Sequence, residues 1–69
     1  MTDAKRNYRK AREAAGIKAE QAAVSLGVTI TTLFNWERGA TSPRAEDLCA
    51  MAAVYRTTTD HLLGIGGGA

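Results

Sequence analysis

Asn35 stands in the run Leu33-Phe34-Asn35-Trp36-Glu37-Arg38, and its amide is the only side chain there that both donates and accepts hydrogen bonds. Thr29 and Thr31 add hydroxyls ahead of it, Arg38 adds a fork of donors behind it, and Ile30 and Phe34 add apolar surface. A set of this kind recognises a ligand and does not transform one. The rest of the sequence agrees: Cys49 has no second cysteine, and the single histidine, His61, has no neighbouring nucleophile or ligand set. With no paired carboxylates and no phosphate-binding glycine loop, the chain is expected not to be an enzyme and to use no cofactor and no metal.

Recognition by side chains needs a rigid element behind them, and the preceding run Gln21-Ala22-Ala23-Val24-Ser25-Leu26-Gly27-Val28-Thr29 supplies one. Ala23 allows two helices to approach closely, Gly27 takes up a turn conformation with positive φ, and Val28 plugs the angle between the helices. These are the requirements of a helix-turn-helix. Thr29 caps a helix over about Ile30 to Arg38, Leu33 and Trp36 pin its inner face, and Thr29, Ile30, Thr31, Phe34, Asn35 and Arg38 are left pointing outward. The β-branched run from Val28 to Thr32 works against a helix, so tertiary context must override propensity there.

The remaining elements follow from stop signals. Before residue 28 the chain is rich in Ala, Glu, Lys, Arg and Gln with little β-branched alternation, and five helices can be cut from the whole, so the fold class is all-α. The first follows Thr2 or Asp3, carries Tyr8, Ala11 and Ala15 inward and ends at Gly16; the second runs from about Ala19 to Leu26. Ser42 as cap with Pro43 in the first turn starts the fourth, whose apolar stripe is Leu48, Met51, Ala52 and Tyr55. A short fifth spans Thr59 to Leu63 after the cap Thr58 and stops at Gly64. Trp36, Met51 and Cys49 read as core or near-core residues and His61 as a surface one.

A chain of 69 residues buries roughly 60% of its unfolded surface, which suffices for a single domain, expected over 1–65 with a flexible glycine-rich tail over 66–69. No apolar run approaches the roughly 20 residues of a membrane span and no signal peptide opens the chain, so a cytoplasmic location without membrane contact is expected. The net charge of +2 conceals an asymmetry: Lys5, Arg6, Arg9, Lys10 and Arg12 against Asp3 give +4 over residues 1–12, and −2 for the remainder. The bases at 5, 6, 9 and 10 form either an ordinary charged helix face or a contact to a phosphate backbone.

Arg12 before Gly16-Ile17, Ala23, Leu26-Gly27-Val28-Thr29, Leu33 to Gly39, Pro43 and Asp60-His61-Leu62-Leu63-Gly64 occur in an order and spacing that resembles the phage repressor and Cro type of helix-turn-helix, the XRE family. The resemblance covers about residues 5 to 64. It implies a five-helix bundle that binds double-stranded DNA with its third helix in the major groove, usually as a homodimer regulating transcription as a repressor.

Carried over position by position, Thr29, Ile30, Thr31 and Asn35 match residues that face base edges or nearby phosphates. Asn35 pairing bidentately with an adenine would discriminate by about 1–3 kcal/mol, and Ile30 and Phe34 are placed to meet thymine methyls. Phe34 has a second reading as a half-buried ring leaning on the second helix, and Ile30 needs either DNA or a second protein to lean on. Arg38, Thr41, Ser42 and Arg44 surround the loop after the reading helix, where phosphates are commonly held with help from free N–H groups of the fourth helix.

Lys18 stands where a capping Ser or Thr is usual and Ala19 where a glutamine is frequent; Lys18 still offers charge to a phosphate, but the second helix is expected to begin less firmly. The resemblance also pairs Arg12 with Glu37 as a structural ion pair between the first and third helices. It puts the dimer contact near Arg56, Thr57, Thr59 and Ile65. The alternative function is an antitoxin-like or adaptor module that binds a protein partner through Ile30 and Phe34.

Overall fold

Helix-favouring segments separated by stop signals give, among the residues described by the computed structural model, 7–64, the helices α1 (Tyr8–Ala14), α2 (Ala19–Leu26), α3 (Ile30–Glu37), α4 (Ala45–Tyr55) and α5 (Thr59–Leu63), with no strand. The fold class is all-α. The bundle closes around α4 and α2: α2 packs on α3 and α4, α4 on α5, and α1 touches α3, α4 and α5. Leu33, Met51 and Leu62 are the largest fully buried side chains, ringed by Tyr8, Trp36 and Tyr55. Ala22 and Ala23 are buried at the inner face of α2, where a side chain without bulk lets neighbouring backbones draw near.

The α2–α3 turn shows how the sequence bends here. Gly27 has φ +73°, its N–H donates to the Val24 carbonyl at 3.1 Å and the Val28 N–H donates to the Ala23 carbonyl at 3.0 Å. This pair of bonds satisfies the last carbonyls of α2 and requires a left-handed residue between them. Open space surrounds the position, so glycine is needed for its φ and not for room. Two residues on, the Thr29 hydroxyl accepts from the Thr32 N–H at 3.1 Å, which starts α3 inside the β-branched run that propensity disfavours.

Four boundary or burial expectations need correction. The first helix does not extend back to Thr2 or Asp3: Asn7 is non-helical and caps α1, because its N–H donates to the Leu62 carbonyl at 2.9 Å and its side-chain amide to the His61 carbonyl at 2.7 Å. Asn7 is thereby tied to the last turn of α5; Thr2, Asp3, Lys5, Arg6, Ile65 and the glycine tail lie outside the described residues.

The fourth helix begins two residues later than Pro43. Arg44 is its cap, since the Asp47 carboxylate accepts from the Arg44 N–H at 3.0 Å, while Pro43 is buried just outside the helix and Leu48 is half-buried four residues into it. That is the placement of a hydrophobic staple. Ala15 is exposed because it follows the last residue of α1, and Cys49 is exposed because the inward stripe Leu48, Met51, Ala52 and Tyr55 leaves position 49 on the other side.

The α4 terminus repeats the bond pattern of the α2–α3 turn without a glycine. Arg56 has φ +57°, its N–H donates to the Ala53 carbonyl and the Thr57 N–H to the Ala52 carbonyl. A side chain at such a φ costs about 1–2 kcal/mol. Replacing Arg56 with Gly removes that strain and adds back about 0.4–1 kcal/mol of unfolded-state entropy. Arg56→Gly is therefore expected to raise stability by roughly 0.5–1 kcal/mol in urea titration, and a loss of stability would show that the Arg56 side chain makes a compensating contact.

Candidate functional site

The orientation of α3 is set by one buried contact. Arg12 Nε donates to Glu37 Oε2 at 2.7 Å and Arg12 Nη2 donates to Glu37 Oε1 at 3.2 Å, with the two side chains only 10% and 6% exposed. A third donor, Arg12 Nη1, reaches the Ile17 carbonyl at 3.1 Å, so the same guanidinium fixes the α1–α2 turn. The hydrogen bonds to Glu37 raise the Arg12 pKa above its ordinary value despite the opposing effect of burial, and the cation is permanent at any accessible pH.

Beside this pair lies a buried hydroxyl with no hydrogen-bond partner, that of Tyr55. Burial first, and the Glu37 charge second, push its pKa up to about 12.

Outward from the pair, the polar side of α3 divides into groups that are free and groups already engaged. Thr31 is exposed. Thr29 is exposed too, but its oxygen caps α3 and its hydroxyl donates to Thr32 Oγ1 at 3.0 Å. The hydrogen-bond proton left over on this turn belongs to Thr32, a half-buried residue that the sequence reading passed over; its signal was a second hydroxyl three residues after the cap. Ile30 is not outward: it is half-buried and packs against the core, three residues before Leu33 and hence on the same side of the helix. Its apolar support is the protein's own interior.

Phe34 is 44% exposed and borders, with Ala19, Arg9 and Arg38, a shallow surface groove running over the Arg12–Glu37 pair. Ala19, at the start of α2, is itself buried and forms part of the groove wall next to the ring. Asn35 is half-buried, and both of its oxygens are occupied. The main-chain carbonyl accepts from Ala40 N at 2.9 Å and Thr41 N at 3.3 Å, while the side-chain Oδ1 accepts from Arg38 Nε at 3.1 Å and Arg38 Nη2 at 2.8 Å.

The surrounding cations are unequal. Lys18 is exposed and caps α2 in extended conformation; its side chain cannot accept a bond, but Gln21 Oε1 accepts from the Lys18 N–H at 3.0 Å. The start of α2 is thus better supported than the missing Ser or Thr implied. Thr41 and Ser42 are exposed. Arg44 lies 3.5 Å from Glu46 and 3.7 Å from Asp47, and its N–H already bonds Asp47, so the start of α4 carries acids and fewer free donors than expected. On α1, Arg9 pairs with Glu13 at 3.0 Å with both side chains more than half exposed, and Lys10 is exposed.

Two consequences can be measured. Glu37→Ala leaves the Arg12 charge buried without its partner and should cost about 3–5 kcal/mol, whereas the double variant Arg12→Met/Glu37→Leu should be markedly more stable than Glu37→Ala; equal losses in thermal or urea melts would mean that the pair acts only by packing. The Tyr55 phenol, with an unfolded pKa of about 10 and a folded value of about 12, contributes stability that is complete below pH 10 and is lost as pH rises toward 12. Tyr55→Phe should therefore be at least as stable as wild type at pH 7 and lose less stability between pH 9 and 11, and parallel losses would show that the hydroxyl stays solvated.

Comparison with known proteins adds two findings. A family model described as helix-turn-helix matches residues 9–62. The chain is 32% identical over 59 residues to the HTH-type transcriptional regulator ImmR of Bacillus subtilis (strain 168), an alignment covering 86% of this chain and 46% of that relative. The chain thus spans less than half the length of the curated relative it matches.

Proposed function

We propose, since this chain belongs to the helix-turn-helix family, that it binds double-stranded DNA as a transcriptional regulator of the repressor type, with α3 in the major groove. The observation that carries this reading is the two-sidedness of α3. Leu33 and Trp36 are buried, and the opposite side offers Thr31, Phe34, Asn35 and Arg38 on a helix clamped by Arg12 and Glu37. A helix so held can present side chains to base edges without ordering them first.

In this reading Thr31, Asn35 and the Thr29–Thr32 hydroxyls face bases or adjacent phosphates, Phe34 meets a thymine methyl, and Ile30 acts from behind by holding the first turn. Lys18, Arg38, Thr41, Ser42 and Arg44 supply phosphate contacts, Arg44 only after leaving Glu46 and Asp47. A homodimer would contact half-sites about 34 Å apart. Its partner contact belongs near Arg56, Thr57 and Thr59, side chains that are exposed or half-buried at the α4–α5 corner.

The second reading, a module that binds a protein, is favoured by the exposed ring of Phe34 and weakened by the inward packing of Ile30. Salt separates the two. Selection from random duplexes at two salt concentrations should enrich one motif, and affinity for it should fall with salt at about 0.9 log units per log unit for each phosphate neutralised. Lys18→Ala should reduce that slope by about one and leave the motif unchanged. No enriched motif, or an affinity indifferent to salt, would overturn DNA binding in favour of an apolar protein contact.

A further inference from the structure

The Asn35 amide has a determined orientation. A guanidinium carries donors only, so the atom facing Arg38 Nε and Nη2 must be the amide oxygen, and those two bonds occupy both of its lone pairs. Its nitrogen has no acceptor among the described residues, and three of the five guanidinium N–H groups of Arg38 remain unused. The closed pair therefore presents N–H groups and no side-chain acceptor.

The backbone beneath the pair is equally fixed. The Asn35 carbonyl takes the N–H groups of Ala40 and Thr41, and the left-handed Gly39, φ +83°, closes the end of α3 between them. Asn35 is thus anchored from its main chain, and Arg38, otherwise a long exposed side chain at the helix end, is held by Asn35.

An adenine edge requires one donor and one acceptor from the protein, N7 taking an N–H and N6 giving one. Asn35 can meet that requirement only when Arg38 lets go. A guanine edge offers two acceptors side by side, O6 and N7, and a donor-only face matches it without rearrangement. We propose that Asn35 and Arg38 read as one unit, in which Asn35 is a positioning residue that aims the Arg38 guanidinium at guanine, so that Arg38 reads a base in place of the phosphate contact given to it above, and that this coupling suppresses the adenine contact Asn35 would make alone. The inference rests on the DNA-binding reading above.

The coupling makes the two variants differ in kind. In Arg38→Met the amide oxygen is released, so the position that wild type reads as guanine should shift to adenine, with the guanine-to-adenine ratio changing by roughly ten- to a hundredfold. In Asn35→Ala the guanidinium loses its anchor, so preference for guanine at that position should fall with no gain for adenine. Selection from random duplexes with wild type and both variants, each first shown by thermal melts to remain folded, reads the ratios directly. An unchanged motif in Arg38→Met with weaker binding to every sequence would overturn the coupling and leave Arg38 as a phosphate contact. Adenine in the wild-type motif at the position lost in Asn35→Ala would also overturn it, with Asn35 then reading alone. If wild type enriches no motif, the DNA-binding reading fails together with the coupling.

Discussion

Two helices, α1 and α3, and the turn leading into α2 meet at one guanidinium. Arg12 spends two donors on Glu37 and a third on the Ile17 carbonyl, which joins α1 to the end of α3 and to the turn leading into α2. The energetic worth of such a buried pair lies less in net stabilisation than in the cost of any arrangement that separates it. Helical packing by small and aliphatic side chains tolerates some rotation, since Ala22, Ala23 and Leu33 impose no directional bond. A bidentate bond between planar groups does not. The angle at which α3 stands from the bundle is therefore fixed by charge, and the core fills in around that angle.

Much of this was legible in the residues because it depends on local rules. Gly27 announces a left-handed turn, Thr29 and Thr58 each accept from the N–H three residues on, and Leu33 and Trp36 share one side of α3. The starts of α1 and α4 were not legible, and for different reasons. Asn7 marks the start of its helix through contacts with His61 and Leu62, which no local pattern reveals. At α4 two plausible caps compete, and the choice of Arg44 over Ser42 depends on the Asp47 carboxylate reaching back and on Pro43 finding cover.

The outward surface was legible in identity and much less so in availability. Residue types name what a side chain can bond, but whether it is free depends on neighbours three residues away. Thr29 spends its hydroxyl on the helix start, Ile30 turns to the core, and Arg44 is held by acids. Of the residues singled out around α3, Thr31 fits the simple picture of an exposed side chain waiting for a ligand. A recognition surface is in this sense already a network before anything binds to it.

The bonds from Asn7 to α5 set the topology of the chain as well as the end of a helix. The bond to His61 joins residues 54 positions apart and the bond to Leu62 lies one position further on, so they close a loop that embraces nearly every other contact in the bundle. Closing a loop carries an entropy cost that grows with its length, and it is offset most easily after the intervening segments have condensed. The α2–α3 unit, built from neighbours in sequence, has no such wait. Loop-closure entropy therefore favours forming the turn and its helices before the α1–α5 seam, and opening at that seam is expected to leave the turn between α2 and α3 intact.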